Sequence, residues 1–265
     1  MKYQIPVLAL CSLFSFFPLS SEALITDSND IGHAITYYAE DTLFAFDLDN
    51  TLIAPSQHLG SDEWFTHHLD ELMNKEGMHR NDAVQKILPV YVEVLRRTDM
   101  SLVDASIPEL LEKMKKKNIP MIGLTKRDPS LSDITLKQIS SLNIDFSSTS
   151  HVKEDHVFEE AGGTLYKNGV IFVGQGMNKG PALLAFLKKL NKMPKRIVVI
   201  DDKLSHIENI ASVVEPLGID FIGIRYGKAD EKVKAFDPKI AKKQLEHFHR
   251  ILSDEQAMHL LKLSD

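Results

Sequence analysis

The chain has 265 residues, of which 43% are hydrophobic and 26% are charged, and its formal net charge is −6 at pH 7. This length allows one sizeable hydrophobic core and a smaller subdomain. The negative balance argues against a broad basic surface, so neither nucleic acid nor an anionic membrane is an expected partner.

The first residues carry the pattern of an export signal. Lys2 is the only positive charge at the start, residues 5–17 are apolar, and residues 21–23 allow a cut after Ala23. The apolar run is too short to cross a bilayer comfortably, and a buried N-terminal helix is the alternative. The only cysteine, Cys11, lies in this segment, so the mature chain would form no disulfide. We therefore predict a bacterial protein of the periplasm or a secreted one, with no stable membrane anchor after cleavage.

Export is expected to remove residues 1–23, because small residues follow the apolar run. Mass spectrometry of the protein recovered from a bacterial periplasm should then show a chain that begins at Leu24. An intact Met1 end in that fraction would refute the prediction.

Helical patterns alternate with short apolar runs along the mature chain. The predicted helices are, in order, 27–38, 64–76, 81–97, 106–117, 133–142, 180–190, 205–214, 238–249 and 254–263. The predicted strands are 43–46, 119–125, 196–202 and 219–224, with a hairpin around Asn168-Gly169. This alternation predicts an α/β fold with a Rossmann-like parallel sheet and right-handed crossovers.

Residues 54–103 stand apart because they carry helical spacing and no strand signal, with Pro89 interrupting the second helix. We interpret them as a helical cap over the end of the first strand. The predicted domains are thus a signal peptide at 1–23, a core at 24–53 and 104–265, and the cap at 54–103. Oligomeric state cannot be predicted from these patterns.

Two aspartates close the first predicted strand. Asp47 and Asp49 directly follow the apolar run and share the same parity, so in an extended chain they face one side. Two neighbouring carboxylates repel unless a cation or a proton lies between them. Because open α/β sheets bind ligands at the carboxyl ends of their strands, the pair predicts a Mg²⁺ site that holds a phosphate. A simple strand end is the alternative.

Other polar residues are expected to converge on the same edge. The second strand ends in Thr125, the third ends in Asp201 and Asp202, and Lys179 stands just before a helix. The alternatives are an ordinary strand-end hydroxyl at Thr125, a solvated Lys179, and a helix cap at Asp201 or Asp202.

The order Asp-x-Asp-Asn-Thr, Thr, Lys, Asp-Asp resembles the four motifs of the haloacid dehalogenase (HAD) superfamily, from about Thr42 to Tyr226. Within that superfamily the chain looks like a group of secreted bacterial HAD-like phosphatases. The resemblance implies a Rossmann-like, HAD-like core, Mg²⁺ dependence and a phosphoaspartyl mechanism. It also implies that the backbone carbonyl of Asp49 binds the metal. The helical cap after the first strand and the small β-hairpin insertion are predicted from the residue patterns themselves.

Each residue type suits a step of that chemistry. Asp47 is the expected nucleophile and metal ligand, and Asp49 is the expected acid and base. Thr125 and Lys179 are expected to contact phosphoryl oxygens. Asp201 would complete the metal site, with the support of its neighbour Asp202.

Arg127 could reach a substrate anion, although a surface arginine is an equal alternative. His206 stands where many family members have Asn or Asp, which leaves the outer metal shell open. Trp64 and Phe65 are expected in the core of the cap. The cap histidines form no zinc pattern and are expected to be solvated: His58, His67, His68 and His79.

The sequence therefore predicts an exported, Mg²⁺-dependent phosphatase that acts on a small phosphomonoester. A phosphotransferase with the same intermediate and a catalytically silent binding module are the alternatives. A dehalogenase is disfavoured because that chemistry uses no metal and no second aspartate like Asp49. A phosphonatase is disfavoured because the cap lacks a lysine signature.

Overall fold

The structure is a computed structural model that describes residues 23–174, 176–190 and 192–264. The predicted signal segment, apart from Ala23, lies outside the described residues. The described strands are β1 (Leu24–Ser28), β2 (Thr42–Phe46), β3 (Ile53–Pro55), β4 (Met100–Leu102), β5 (Met121–Thr125), β6 (His156–Phe158), β7 (Thr164–Lys167), β8 (Val170–Phe172), β9 (Arg196–Asp201) and β10 (Asp220–Tyr226). The described helices are α1 (Asp62–Glu76), α2 (Arg80–Arg97), α3 (Ile107–Lys116), α4 (Ser132–Ser141), α5 (Lys179–Leu187), α6 (Leu204–Val214), α7 (Asp230–Lys234), α8 (Pro238–Glu246) and α9 (Asp254–Ser264).

Eight strands form one sheet in the order β1-β10-β9-β2-β5-β8-β7-β6. The pairs from β1 to β8 are parallel, while β7 and β6 add to the edge as antiparallel strands. Strands β2 and β5 are buried throughout, as expected for the middle of a parallel sheet covered on both faces. The predicted α/β class with a mostly parallel, Rossmann-like sheet is confirmed.

The hairpin at Asn168-Gly169 is confirmed, but it is not a separate insertion. Both turn residues have positive φ, +47° at Asn168 and +82° at Gly169, as the tightest hairpin turns require. Strand β8 pairs in parallel with β5, so the hairpin extends the main sheet. The hydrogen-bonding edge of β5, rather than the local pattern, decides this arrangement.

Four short strands were missed by the sequence patterns: β1, β3, β4 and β6. The predicted helix 27–38 is wrong at its start, because Leu24–Ser28 forms β1 beside β10 and a 3₁₀ helix follows only at Ile31–Tyr37. The segment 54–103 also contains strand structure, since β3 and β4 pair antiparallel at its base. Such strands are too short to carry a period, and their long-range pairing partners define them.

Several helix boundaries differ from the prediction. Helix α2 runs through Pro89 without a break. Helix α5 begins at Lys179, not after it, and ends at Leu187. Helix α7 was not predicted, and α8 ends at Glu246.

Helices α1 and α2 pack against each other, and they share their hydrophobic core with the C-terminal helix α8. Trp64 and Phe65 are buried in this cluster, as predicted, together with Ala241 of α8. The backbone N–H of Leu59 also donates to the side chain of Gln244 in α8 (2.9 Å). We call α1 and α2, together with the part of α8 that packs on them, the roof of the site. The roof is thus built from two distant parts of the chain. None of the described helices is both long and apolar enough to cross a membrane.

Candidate active site

The predicted site residues lie at the carboxyl edge of the main sheet. Strands β9, β2 and β5 are neighbours in that order, so the residues that follow them meet at one edge. Asp47 comes directly after β2, while Thr125 and Asp201 are the last residues of β5 and β9. Lys179, at the start of α5, reaches the same edge through its side chain.

A tight turn after β2 holds Asp49 near Asp47. The carbonyl oxygen of Leu48 accepts hydrogen bonds from the N–H groups of Thr51 (3.3 Å) and Leu52 (2.9 Å). Asn50 has φ +59°, a left-handed conformation that Asn adopts more readily than most residues. The strand therefore ends at the aspartates, and Asp49 begins a turn.

The ammonium group of Lys179 joins two carboxylates from different strands. Its Nζ lies 2.6 Å from Asp47 Oδ1 and 2.6 Å from Asp201 Oδ2, and its side chain is fully buried. The other oxygen of Asp201 accepts the N–H of Lys203 (2.9 Å), and Asp47 Oδ2 lies 3.4 Å from the Thr51 hydroxyl. The solvated alternative for Lys179 is therefore wrong.

This arrangement divides charge unequally between the two aspartates. Burial raises the pKa of Asp47 to about 6, against the attraction of Lys179 and with added repulsion from Asp201. Burial also disfavours the Asp201 carboxylate, but Lys179 and His206 outweigh it and hold its pKa at about 2. Burial alone would lower the pKa of Lys179, yet the two carboxylates raise it above its usual value. Lys179 therefore stays charged at neutral pH.

Asp202 adds a third carboxyl group to the cluster. One oxygen each from Asp47, Asp201 and Asp202 lie within 4.8 Å of one another. Burial, followed by repulsion from Asp47 and Asp201, raises the pKa of Asp202 to about 9. The N–H of Asp202 donates to the Thr51 hydroxyl at 3.0 Å, which fixes the backbone there. When all three carboxyl groups are ionised, their negative charge exceeds the single positive charge of Lys179.

His206 contacts this cluster from the first turn of α6. Its Nδ1 lies 3.1 Å from Asp201 Oδ1, the oxygen that does not contact Lys179. The histidine thus orients Asp201 directly. This contact explains how the chain uses a histidine at a position where Asn or Asp was expected.

Arg127 is buried and paired with Asp49, so its surface alternative is wrong. Its Nε and Nη2 donate to the two oxygens of Asp49 at 2.8 and 2.7 Å, a bidentate pair. Its Nη1 donates to Thr135 (3.0 Å) and Gln138 (2.7 Å). These bonds use four of the five guanidinium N–H groups, so one donor remains for a substrate anion. The buried hydroxyl of Thr125 accepts the N–H of Arg127 at 3.1 Å and can still donate its own proton.

A cleft lies over this edge, with acidic and basic groups below and apolar side chains above. The upper wall comprises Phe65 of α1, Leu88 and Tyr91 of α2, and Leu131. Asp47, Asp49, Arg127, Asp202 and His206 line the lower part. Helices α1 and α2 therefore restrict what can approach Asp47.

The sequence interpretation missed two cations of this cleft. Lys203, from the start of α6, forms an ion pair with Asp62 at the start of α1, and this pair joins the roof to the sheet. Lys126 also lines the cleft and donates to the carbonyl of Met177. Burial, with repulsion from nearby cations, lowers the pKa of Lys126 to about 8. Lys126 directly follows Thr125, and Lys203 directly follows Asp202. Their positions in the sequence are therefore suggestive, but only tertiary packing shows that both side chains line the cleft.

The other histidines do not assemble a metal site within the described ranges. His67 and His68 lie near Glu71 of the same helix, at 3.8 and 3.7 Å. The side chain of His58 is mostly buried against Asp254 and Phe236, so its solvated interpretation is wrong. Among the described residues, only the three aspartates have the spacing of metal ligands.

Comparison with known proteins gives relatives that match almost the whole chain. A Chlamydia pneumoniae protein named "Putative outer membrane protein" is 28% identical over 98% of this chain and 97% of its own length. A Chlamydia trachomatis protein of the same name is 24% identical over 91% of this chain and 92% of its length. A Rickettsia prowazekii protein, named as uncharacterized, is 26% identical over 85% of this chain and 84% of its length.

A family model matches residues 25–258, which is most of the chain, and its description is "Protein of unknown function (DUF2608)". The assignment to the HAD superfamily, made from the order of four short motifs, is therefore wrong. Short motifs at strand ends report a local chemical arrangement, whereas the family model compares nearly every element. The chain belongs to the DUF2608 family.

Proposed function

We propose that this chain is a Mg²⁺-dependent hydrolase of small phosphomonoesters that forms an aspartyl phosphate on Asp47. The observation that carries the proposal is the buried bridge from Lys179 to Asp47 and Asp201, with Asp202 in the same cluster. Nucleophile, cation and metal ligands lie together at the edge where parallel sheets bind ligands.

The donor set fits Mg²⁺. Asp47, Asp201 and Asp202 supply hard carboxylate oxygens, and burial, with repulsion from the other two, raises the pKa of Asp202 to about 9, so a bound cation would favour its ionised form. Bound Mg²⁺ would offset the charge of the carboxylates and polarise a phosphoryl oxygen. The backbone carbonyl of Asp49 is a further candidate ligand. His206, which already contacts Asp201, would orient one of the carboxylates.

In the first half-reaction, an Asp47 carboxylate oxygen attacks phosphorus and the bond to the leaving oxygen breaks. For this step Asp49 carries a proton on one oxygen while Arg127 holds the other, and it donates that proton to the leaving oxygen, so the product leaves as an alcohol. Asp49 then becomes the carboxylate that Arg127 binds through both oxygens. Lys179 and Thr125 bind the phosphoryl oxygens and stabilise the charge that develops on them. The products are an aspartyl phosphate and a neutral leaving group.

In the second half-reaction, Asp49 accepts a proton from water as the water oxygen attacks phosphorus. The bond between phosphorus and the Asp47 oxygen breaks, which releases phosphate and restores the carboxylate. Arg127 holds both oxygens of Asp49 and keeps the carboxyl group at the cleft. Its remaining N–H can bind a substrate oxygen.

The cleft favours a small phosphorylated substrate. Phe65, Leu88 and Tyr91 line its roof side and narrow the approach to Asp47. The N-terminal export pattern and the outer-membrane names of the chlamydial relatives together support a location in the cell envelope or outside the cell. A phosphotransferase would use the same residues with an alcohol in place of water.

A silent binding module remains the second candidate, because the site anions already have cationic partners. Lys179 pairs with Asp47 and Asp201, and Arg127 pairs with Asp49. Such a set would bind a phosphate without cleaving it if Asp49 could not take up a proton beside Arg127.

Purified mature protein is expected to release phosphate from para-nitrophenyl phosphate when Mg²⁺ is present. EDTA should abolish the release, and added Mg²⁺ should restore it, because the nucleophile Asp47 lies beside two further carboxyl groups, Asp201 and Asp202, whose repulsion of a phosphate the metal would offset. An acceptor alcohol in the same assay distinguishes transfer from hydrolysis. No phosphate release from a broad substrate panel, with Mg²⁺ present, would favour the binding module.

A further inference from the structure

A continuous set of polar contacts joins Asp49 to the roof of the cleft. Arg127, which grips Asp49, donates from Nη1 to the side-chain oxygen of Gln138 in α4 at 2.7 Å. The side-chain nitrogen of Gln138 donates in turn to the carbonyls of Leu95 (3.0 Å) and Thr98 (3.4 Å) at the end of α2. One glutamine therefore stands between the arginine and a roof helix.

Only one orientation of the Gln138 amide satisfies these contacts. The guanidinium of Arg127 can only donate, so it requires the amide oxygen, and the carbonyls of Leu95 and Thr98 can only accept, so they require the amide nitrogen. In a flipped amide, the nitrogen would face the donor of Arg127 and the oxygen would face the carbonyl oxygens of Leu95 and Thr98. Gln138 is thus locked from both sides.

We propose that Gln138 is a positioning residue for Asp49, acting through Arg127 and tying the acid and base to the α2 end of the roof. The proposal rests on the proposed function. Asp49 has a side chain that is 20% exposed, so the cleft alone does not hold its carboxyl group. The planar guanidinium of Arg127 fixes the orientation of the Asp49 carboxyl group. Thr135 and Gln138 in turn fix the guanidinium, because both accept hydrogen bonds from its Nη1.

Loss of this support should affect the steps that use Asp49 more than the others. A misplacement of a catalytic group by about 1 Å can cost about 10²-fold in rate. An alkyl phosphate needs a proton on its leaving oxygen, whereas an aryl phosphate needs much less help. A defect in Asp49 positioning therefore appears as a change in the ratio of the alkyl phosphate rate to the aryl phosphate rate in the first half-reaction.

Gln138→Met removes the hydrogen bonds and keeps the length of the side chain. With Mg²⁺ present, it is expected to lower the rate of phosphoryl transfer from glycerol phosphate to Asp47 by about 10²-fold, and the rate of transfer from para-nitrophenyl phosphate by much less. With para-nitrophenyl phosphate the aspartyl phosphate should accumulate, since its hydrolysis needs the same carboxyl group to activate water. The measurements are the single-turnover rates of the first half-reaction with the two substrates and the protein-bound phosphate after rapid quenching.

Gln57→Met is the matched control. Gln57, which follows β3 in the sequence, is also a buried amide that contacts the end of α2. Its nitrogen donates to Leu59 O (3.0 Å) and to the hydroxyl of Thr98 (3.2 Å). Neither of these bonds involves Arg127. This variant should lose stability but keep the wild-type ratio of alkyl to aryl rates in the first half-reaction. Equal losses of that first rate on both substrates in Gln138→Met, or the same ratio change in Gln57→Met, would overturn the positioning role.

A second measurement does not depend on activity. The free energy of unfolding in urea is compared for Asp49→Asn, Gln138→Met and the double variant. Substitutions within one hydrogen-bond network are expected to lower this free energy non-additively. Non-additive losses in a protein that cleaves no substrate would refute the proposed function and retain the positioning of Asp49. Additive losses would overturn the coupling between Gln138 and Asp49, whatever the activity.

Discussion

Asp47→Asn is expected to abolish turnover, with a loss of more than about 10³-fold, while the protein remains folded. The amide keeps the shape of the side chain but cannot form an acyl phosphate with the substrate. The fold should tolerate it because burial already disfavours the Asp47 carboxylate, with a pKa near 6, and Lys179 keeps its contact with Asp201. Phosphate release and bound phosphate should both vanish, while circular dichroism and the urea midpoint change little.

Asp128→Asn is the control for this experiment. Asp128 also lines the cleft, but its carboxylate caps a short turn by accepting the N–H of Ser130 at 2.9 Å, a role that Asn fills well. Its turnover should stay within a few-fold of wild type. Activity of Asp47→Asn above about a thousandth of wild type would contradict the nucleophile assignment.

Lys179→Met is expected to cause the largest loss of stability, about 3–5 kcal/mol at pH 8 without divalent metal. The substitution leaves Asp47, Asp201 and Asp202 buried without their cation, and it removes the charge proposed to stabilise phosphoryl oxygens. Turnover should fall by about 10²-fold or more. Urea unfolding in EDTA measures the first effect, and phosphate release measures the second.

The loss of stability should also depend on pH. A free aspartate in the unfolded chain titrates near pH 3.9, whereas folding raises the pKa of Asp47 to about 6 and that of Asp202 to about 9. The folded state therefore binds these protons more tightly, so their ionisation destabilises it increasingly as pH rises from about 4 to about 9. Without Lys179 this repulsion grows, and the variant should be much closer to wild type at pH 5 than at pH 8.

Lys195→Met is the matched control, since its exposed side chain lies 3.4 Å from Asp41 on the surface. It should change stability little at either pH, as expected for a solvated ion pair. A loss in Lys179→Met that is equal at pH 5 and pH 8 would contradict the proposed carboxyl cluster. Added Mg²⁺ should also recover part of the stability, because binding to the folded state alone stabilises it.

The motif order correctly indicated that its residues meet at one edge of the sheet, but the family that it indicated was wrong. Asp47, Lys179, Asp201 and Asp202 do meet there, since parallel strands bring their ends together from any distance in sequence. The family follows from similarity along residues 25–258, which a few residues at strand ends cannot represent.

The sequence by itself determined the α/β class, the middle strands of the sheet, the helices of the roof and the edge that carries the aspartates. These features follow from local causes: apolar runs, helical spacing and turn residues such as Asn168-Gly169. They are decided within a few residues of the chain, so a single sequence suffices to predict them.

Only the tertiary structure decided the rest. Strand β1 exists because β10 offers it an edge, and Arg127 is a buried partner of Asp49 rather than a surface group because Thr135 and Gln138 complete its hydrogen bonds. The division of charge between Asp47, Asp201 and Lys179 likewise depends on burial and distance. Pairing, desolvation and electrostatic attraction act between residues that are distant in sequence, and no local pattern records them.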